Sequence, residues 1–302
     1  MVRILTGLLV LLGAYFFYVF LRDYRANRHV QSPASAYKVA PIGLLTMFGD
    51  TLGIGNFAPA TALLRFFKQI DDKKIPGTLN VFTSLPEVFS GCILITTIEV
   101  DPVTLISMLI SSSVGAYFGA SIISHFSVQK VRLTMGIALF VTAVVMFLGM
   151  MGWMPSGGDA TGLTGINLII AVVGNFILGI LMTAGIGLYA PCMALIYFLG
   201  MSPRAAFPIM MGSCAFLMPI ASLKFIKEGA LDRKVALIYM LAGIPGVLIA
   251  AFVVKSLPLF MLKWVVIAVV LYTSGSMIYS MFKDRGEQAS SKVVGLPESN
   301  VP

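Results

Sequence analysis

TAGIGLYAPCMALIYF (residues 183–198) and TLGIGNFAPATALLRF (residues 51–66) carry the same Gly-Ile-Gly and the same Ala-Pro, at the same spacing, inside a strongly apolar chain. Two close glycines interrupt a helix, and the proline suits the first turn of a new one. In lipid an interrupted backbone leaves N–H and C=O groups without partners, so it persists only where it lines a cavity in the protein. What the two breaks line decides the architecture.

The two stretches are copies. Residues 49–67 set over 181–199, an offset of 132, agree at nine of nineteen positions, among them Thr51/Thr183, Gly53/Gly185, Gly55/Gly187 and Pro59/Pro191. The correspondence continues through Pro76/Pro208 at the same offset, then Pro86/Pro219, Asp101/Asp232 and Gly115/Gly246 with shifts of one residue. A repeat at this scale is an internal duplication. Its units are predicted over 39–152 and 166–282, joined by a linker at 153–165, after a first helix and loop over 1–38 and before a polar, disordered tail over 283–302.

Composition settles the class. Of 302 residues 58% are hydrophobic and 11% charged, with a mean hydropathy of +0.94. A soluble domain carries about 25% charged residues, so the chain reads as an all-α polytopic membrane protein. The formal charge of +8 then marks loops on one side of the bilayer and does not point to nucleic acid. Residues 4–21 read as a retained transmembrane helix, since RDYRANRH follows without a small-residue cleavage site. Apolar segments over 79–98, 103–124, 133–152, 166–184, 205–223, 235–254 and 264–282 are near the length of a span. Three others, 39–48, 56–67 and 188–200, are half that length, and each abuts a break. Cys92, Cys192 and Cys214 lack CxxC spacing, and no histidine pair has metal-ligand spacing, so neither a disulfide scaffold, a metal site nor a cofactor is predicted.

Lysines and arginines set the orientation. With the tail cytoplasmic and the N-terminus outside, 17 of the 21 basic residues fall on the cytoplasmic side, and only Arg3, Arg204, Lys255 and Lys263 fall outside. Segment 79–98 then runs outward while its copy 205–223 runs inward. The prediction is therefore two inverted-topology repeats with broken or re-entrant helices plus an extra N-terminal transmembrane helix, an arrangement that places a substrate near the midplane of a transporter.

If both tips meet in mid-membrane, the helices starting at Asn56–Pro59 and Leu188–Pro191 aim free N–H groups and the positive ends of their dipoles at a shared centre. That is an anion site needing no charged side chain. The candidate substrate-binding residues are Thr51, Gly53, Gly55 and Asn56 at the first break, and Thr183, Gly185, Gly187, Tyr189 and Cys192 at the second. Asn80 and Thr83 join them from 79–98, and Ser213 and Cys214 from 205–223. Serine and threonine in helices also bond their own backbone, so the cluster carries the reading and no single member does. Asp50 and Glu87 are acids where acids are costly. Both are candidates for proton coupling; a protonated structural acid, or a helix cap at Asp50, is the alternative. Gly115, Gly119, Gly243 and Gly246 suit close helix packing, and one repeat unit is expected to move against the other during transport.

A glycine-rich break followed by a proline and an apolar run, duplicated in a permease of eight to nine helices, resembles the TauE/SafE family of sulfite and organosulfur anion exporters. The copy AGIGLYAPCMALIYFLGMSPRAAFPIMMGSCAFLMP (residues 184–219) is the more telling. The family break is often three consecutive glycines, whereas GIGNF and GIGLY stand here. The resemblance implies a secondary carrier in the cell membrane for a small sulfur-containing anion such as sulfite, sulfoacetate or thiosulfate. Its partners would be that anion, the lipid bilayer and protons, with an oligomer left open. A cation carrier using Asp50 and Glu87 is the competing reading. An intramembrane thiol oxidoreductase built on the cysteines is a weaker one, since CxxC, HExxH and GxSxG patterns are absent.

Overall fold

The computed structural model describes residues 2–29, 32–52, 54–94, 100–153 and 158–252, together with 264, 267, 268, 271, 272, 274–280 and 282. Gly53, much of 253–282 and the tail 283–302 lie outside the described residues. Every named element among those described is helical: α1 (Val2–Ala26), α2 (Ala36–Thr51), α3 (Phe57–Phe66), a 3-10 turn (Asp72–Lys74), α4 (Ile75–Leu94), α5 (Pro102–Ile123), α6 (Val128–Met150), α7 (Gly165–Thr183), α8 (Tyr189–Phe198), α9 (Pro203–Lys227) and α10 (Arg233–Phe252). Six of them, α1, α5, α6, α7, α9 and α10, are long and apolar enough to cross a membrane. Their outer faces expose large apolar side chains, for example Leu11, Phe118, Phe140 and Ile169, a surface for lipid rather than water.

Local chemistry explains most helix starts. Asp101 caps α5 by accepting from the Thr104 amide at 2.8 Å, and this bond and the Thr104 hydroxyl hold its carboxyl below the usual carboxylate range. Ser202 caps α9 through the Ala205 amide at 3.2 Å, and a proline follows each of these caps at the first helical turn. Helices α3 and α8 begin at Asn56 and Leu188, whose own side chains make no capping bond. The residues that open α2 and α7, Ser35 and Thr164, likewise make no capping bond with their side chains.

Helix α4 differs from its apolar pattern. It begins at Ile75 rather than near Leu79 because Asp71 accepts from the Lys73 amide at 2.9 Å and nucleates the turn that feeds it. It also falls outside the six apolar helices, as it carries Asn80, Thr83, Ser84, Glu87 and Ser90, all fully buried. A helix shielded by others needs no apolar exterior. Its neighbour in the interior is α9, joined to it by the Ser84–Ser222 hydroxyl contact at 2.8 Å.

Loop contacts fix which helix ends lie together. The Ser35 amide, before α2, donates to Gln69 Oε1, beyond α3, at 2.7 Å. The start of α10 joins the same end, because Arg233 pairs with Asp23 of α1 at 2.6 Å and the Asp232 amide donates to Thr78 at 2.7 Å. Asp72 adds Arg65 of α3 at 3.1 Å and Arg132 of α6 at 2.7 Å. At the other end of the bundle, the Gly158 amide donates to the Met201 carbonyl at 3.0 Å, and Ser202 donates to Ala160 at 2.8 Å. The start of α7 and the end of α8 are thereby held together. Asp101 lies there too, bonded to Thr161 at 3.0 Å. The α2–α3 pair therefore both begins and ends at the basic end, and the α7–α8 pair both begins and ends opposite.

Glycines bring the long helices into backbone contact. A Cβ on Gly115 would overlap the Phe176 carbonyl of α7, and one on Gly179 the Ser112 carbonyl of α5. Between α2 and α10 the same holds for Gly246 against the Leu44 carbonyl, and for Gly43 against Tyr239 at 2.8 Å. Tyr239 also hydrogen-bonds Thr46 and stacks on Phe82 with centroids 3.5 Å apart. Each seam joins one predicted unit to the other.

Candidate functional site

The breaks themselves are short. Helix α2 ends at Thr51, the Ile54 amide bonds back to the Gly49 carbonyl at 3.0 Å, and Gly55 takes φ +84° before α3 starts. In the second copy the Ile186 amide bonds to Leu181 at 3.2 Å and Gly185 takes φ +102°. An L side chain at Gly55 or Gly185 would be strained. Gly187 is different: its φ is ordinary and an added Cβ would meet nothing within 4 Å.

Both tips face one cavity. It is small, and it is lined by Ile54, Gly55, Asn56, Phe57 and Ala58 from the first break and by Gly187, Leu188 and Tyr189 from the second. Asp50, Glu87, Thr142, Met146, Met182 and Met218 complete the wall. The backbone N–H groups of Gly187, Leu188 and Tyr189 have no protein acceptor among the described residues. Lining residues correspond across the repeat: Gly55 with Gly187, Asn56 with Leu188, Phe57 with Tyr189, and Asp50 with Met182.

One polar cluster crosses the cavity. Tyr189, at the start of α8, directs its hydroxyl to Asp50 Oδ2 at 3.1 Å and to both Glu87 oxygens at 3.0 and 3.2 Å. Asp50 and Glu87 are 2% and 0% exposed, and their carboxyls lie within hydrogen-bonding reach of each other. Asp50 also accepts from the Asn56 backbone N–H, so it caps the next helix from the end of the previous one. A carboxyl at a helix C-terminus opposes its own dipole, and the N-terminus of α3 offsets that cost. Among the described residues no lysine, arginine or histidine lines the cavity.

Of the residues singled out in the sequence, the cavity gathers Asp50, Gly55, Asn56, Glu87, Gly187 and Tyr189. Others turn to their own helices. Thr51 donates to the Met47 carbonyl, Asn80 to Pro76, Thr83 to Leu79 and Thr183 to Ile180. Ser213 accepts from Asn175 at 3.0 Å, Cys214 sits 3.8 Å from the Met182 sulfur, and Cys192 is buried. Gly185 faces the Met135 side chain. These eight do not line the cavity. Cys92, Cys192 and Cys214 are free thiols, and no metal-holding group of His, Cys, Asp or Glu forms among the described residues. The reading missed Thr142, Met146, Met182 and Met218. Met182 was findable as the repeat counterpart of Asp50, whereas the others belong to no motif.

Comparison with known families agrees with this architecture. The family model described as Sulfite exporter TauE/SafE matches residues 1–146 and 166–298. The chain belongs to the TauE/SafE sulfite exporter family. The match reaches beyond the duplicated region at both ends, and the stretch it passes over, 147–165, contains the loop between α6 and α7. Neither a curated protein nor a solved structure matches the chain. Membership makes the chain a multi-pass membrane transporter of a family that moves sulfite and organosulfur anions.

Proposed function

We propose that the chain is a secondary carrier that exports a small sulfur-containing anion, such as sulfite, sulfoacetate or thiosulfate, from the cell by alternating access. The observation that carries this reading is the cavity bounded by both helix breaks, where the N-termini of α3 and α8 converge and the amides of Gly187, Leu188 and Tyr189 stand open. Backbone N–H groups at a helix N-terminus hold an anion without a fixed counter-charge, and a ligand without a cationic partner is easier to release on the far side.

The two re-entrant pairs entering from opposite ends support an inverted repeat. The basic end would be cytoplasmic, with the N-terminus of α1 outside. The moving bodies cross the repeat boundary, α2 travelling with α10 and α5 with α7, because the glycine seams join those pairs. This replaces the simpler motion of one unit against the other. Asp50 and Glu87 supply the coupling. Two ionised carboxylates around one hydroxyl would repel an anion and cost several kcal/mol in lipid, so the site accepts its substrate with the acid pair protonated.

A cation carrier has one observation in its favour: both acids line the same cavity. Thermal unfolding of the detergent-purified chain separates the readings. Sulfite or thiosulfate at about 100 times its Kd should add about 2.7 kcal/mol, with little shift from sodium or chloride. Gly187→Leu should keep the unliganded midpoint, since its Cβ has room, and abolish the anion shift by filling the cavity. A midpoint raised by cations only, and lost in Glu87→Gln, would replace the anion reading.

A further inference from the structure

Helix α3 and helix α8 end in the same hydrogen-bond pattern, with different residues in its strained position. After α3 the Lys68 amide bonds to Arg65 at 3.0 Å and the Gln69 amide to Leu64 at 2.8 Å. After α8 the Gly200 amide bonds to Tyr197 at 3.0 Å and Met201 to Ile196 at 3.2 Å. Each of these residues is 132 positions from its counterpart. The residue between the two bonds must adopt a left-handed conformation, which glycine does without cost. Gly200 has φ +84°, and Lys68 has φ +55°, the one non-glycine residue with positive φ among those described.

The exposed lysine stands where two open hollows of the basic end meet. One, of about 810 Å³, has Lys68, Lys74 and Arg233 in its wall. The other, of about 1050 Å³, has Lys68, Arg65 and Arg132. The arginines are already paired: Arg65 and Arg132 with Asp72, and Arg233 with Asp23. Asp71 and Asp232 are turned to backbone amides, of Lys73 at 2.9 Å and Val235 at 3.1 Å. Lys68 makes no ion pair among the described residues. A free cation is therefore held at the outer end of the helix whose inner end opens the cavity, at a position where its copy shows that glycine suffices.

We propose that Lys68 is a capture residue for the transported anion at the basic mouth, a role that rests on the anion-carrier reading above. The backbone strain is retained because the charge raises the local concentration of anions at the foot of α3. A lipid phosphate presents similar chemistry to the same ammonium, so the test distinguishes the two sources.

The full chain would be reconstituted in phosphatidylcholine vesicles, and initial sulfite flux measured against sulfite concentration at low and high potassium gluconate. Lys68→Gly should raise KM about tenfold at low ionic strength, leave kcat unchanged, and lose the difference at about 0.5 M salt, where exposed charges are screened. Lys68→Arg should keep the low KM. In detergent, Lys68→Gly should melt at a higher temperature than the parent, as removal of left-handed strain requires. An unchanged KM at low salt overturns the proposal while flux persists. A KM effect confined to vesicles containing phosphatidylglycerol assigns the lysine to lipid and overturns it too. Absence of sulfite and thiosulfate flux in the parent chain removes the carrier reading first, and the capture role with it.

Discussion

Tyr189 differs from its repeat counterpart Phe57 by one oxygen atom, and that atom touches both buried acids of the other unit. Tyr189→Phe is the sharpest single-atom change available. Loss of a buried donor that serves two acceptors should cost about 1–3 kcal/mol in thermal unfolding. The pH profile of sulfite flux should change as well, because the acid pair loses a partner. An unaltered profile would reduce the hydroxyl to a structural bond. The sequence pointed to Tyr189, Asp50 and Glu87 separately, as polar groups near the breaks and as acids in an apolar span. It did not join them, since the alignment of the copies sets Met182 opposite Asp50 and Ile220 opposite Glu87. A repeat reports what two halves share, and this cluster is made of what they do not share. Thr51, Thr83 and Thr183 each bond the carbonyl three or four residues back, as single hydroxyls in helices commonly do.

At the scale of the helix, glycines fall into two kinds with opposite expected tolerance. Gly115 and Gly246 meet backbone carbonyls, which cannot step aside. Gly115→Leu and Gly246→Leu should each destabilise by about 3 kcal/mol, seen as a lower unfolding midpoint or a loss of monodisperse protein. Gly187→Leu should not. Equal tolerance at all three sites would mean that the seams give way more easily than rigid backbone allows. Spacing had marked Gly115, Gly119, Gly243 and Gly246 for packing, and the breaks were legible because glycine and proline report backbone geometry directly. Helix limits were less so. Hydropathy places the start of α4 at the first apolar run, whereas Asp71 starts the turn several residues earlier. Apolarity also understates α4 as a crossing helix, because a helix surrounded by others is free to carry polar side chains.

At the scale of the molecule, the two halves are interlocked: α2 lies on α10, and α5 on α7. Neither half buries its own glycine seams. Residues 1–152 and 153–302 produced separately should aggregate or be degraded, and produced together should assemble into one species that unfolds cooperatively. A half that is monodisperse and melts on its own would refute the interlocking. The duplication could be read from the sequence, whereas the exchange of helices could not, because similarity between units does not say whether each packs on itself or on its twin. The contact between Gly43 and Tyr239 also has a consequence for how the chain is made. Its partners are separated by most of the polypeptide, so at about 5–20 residues per second the ribosome delivers α10 roughly 10–40 s after α2. Through that interval the α2–α3 pair waits with its backbone break unsheltered. The nascent protein thus passes through a stage in which the segment that later forms half of the cavity wall is still without its cover.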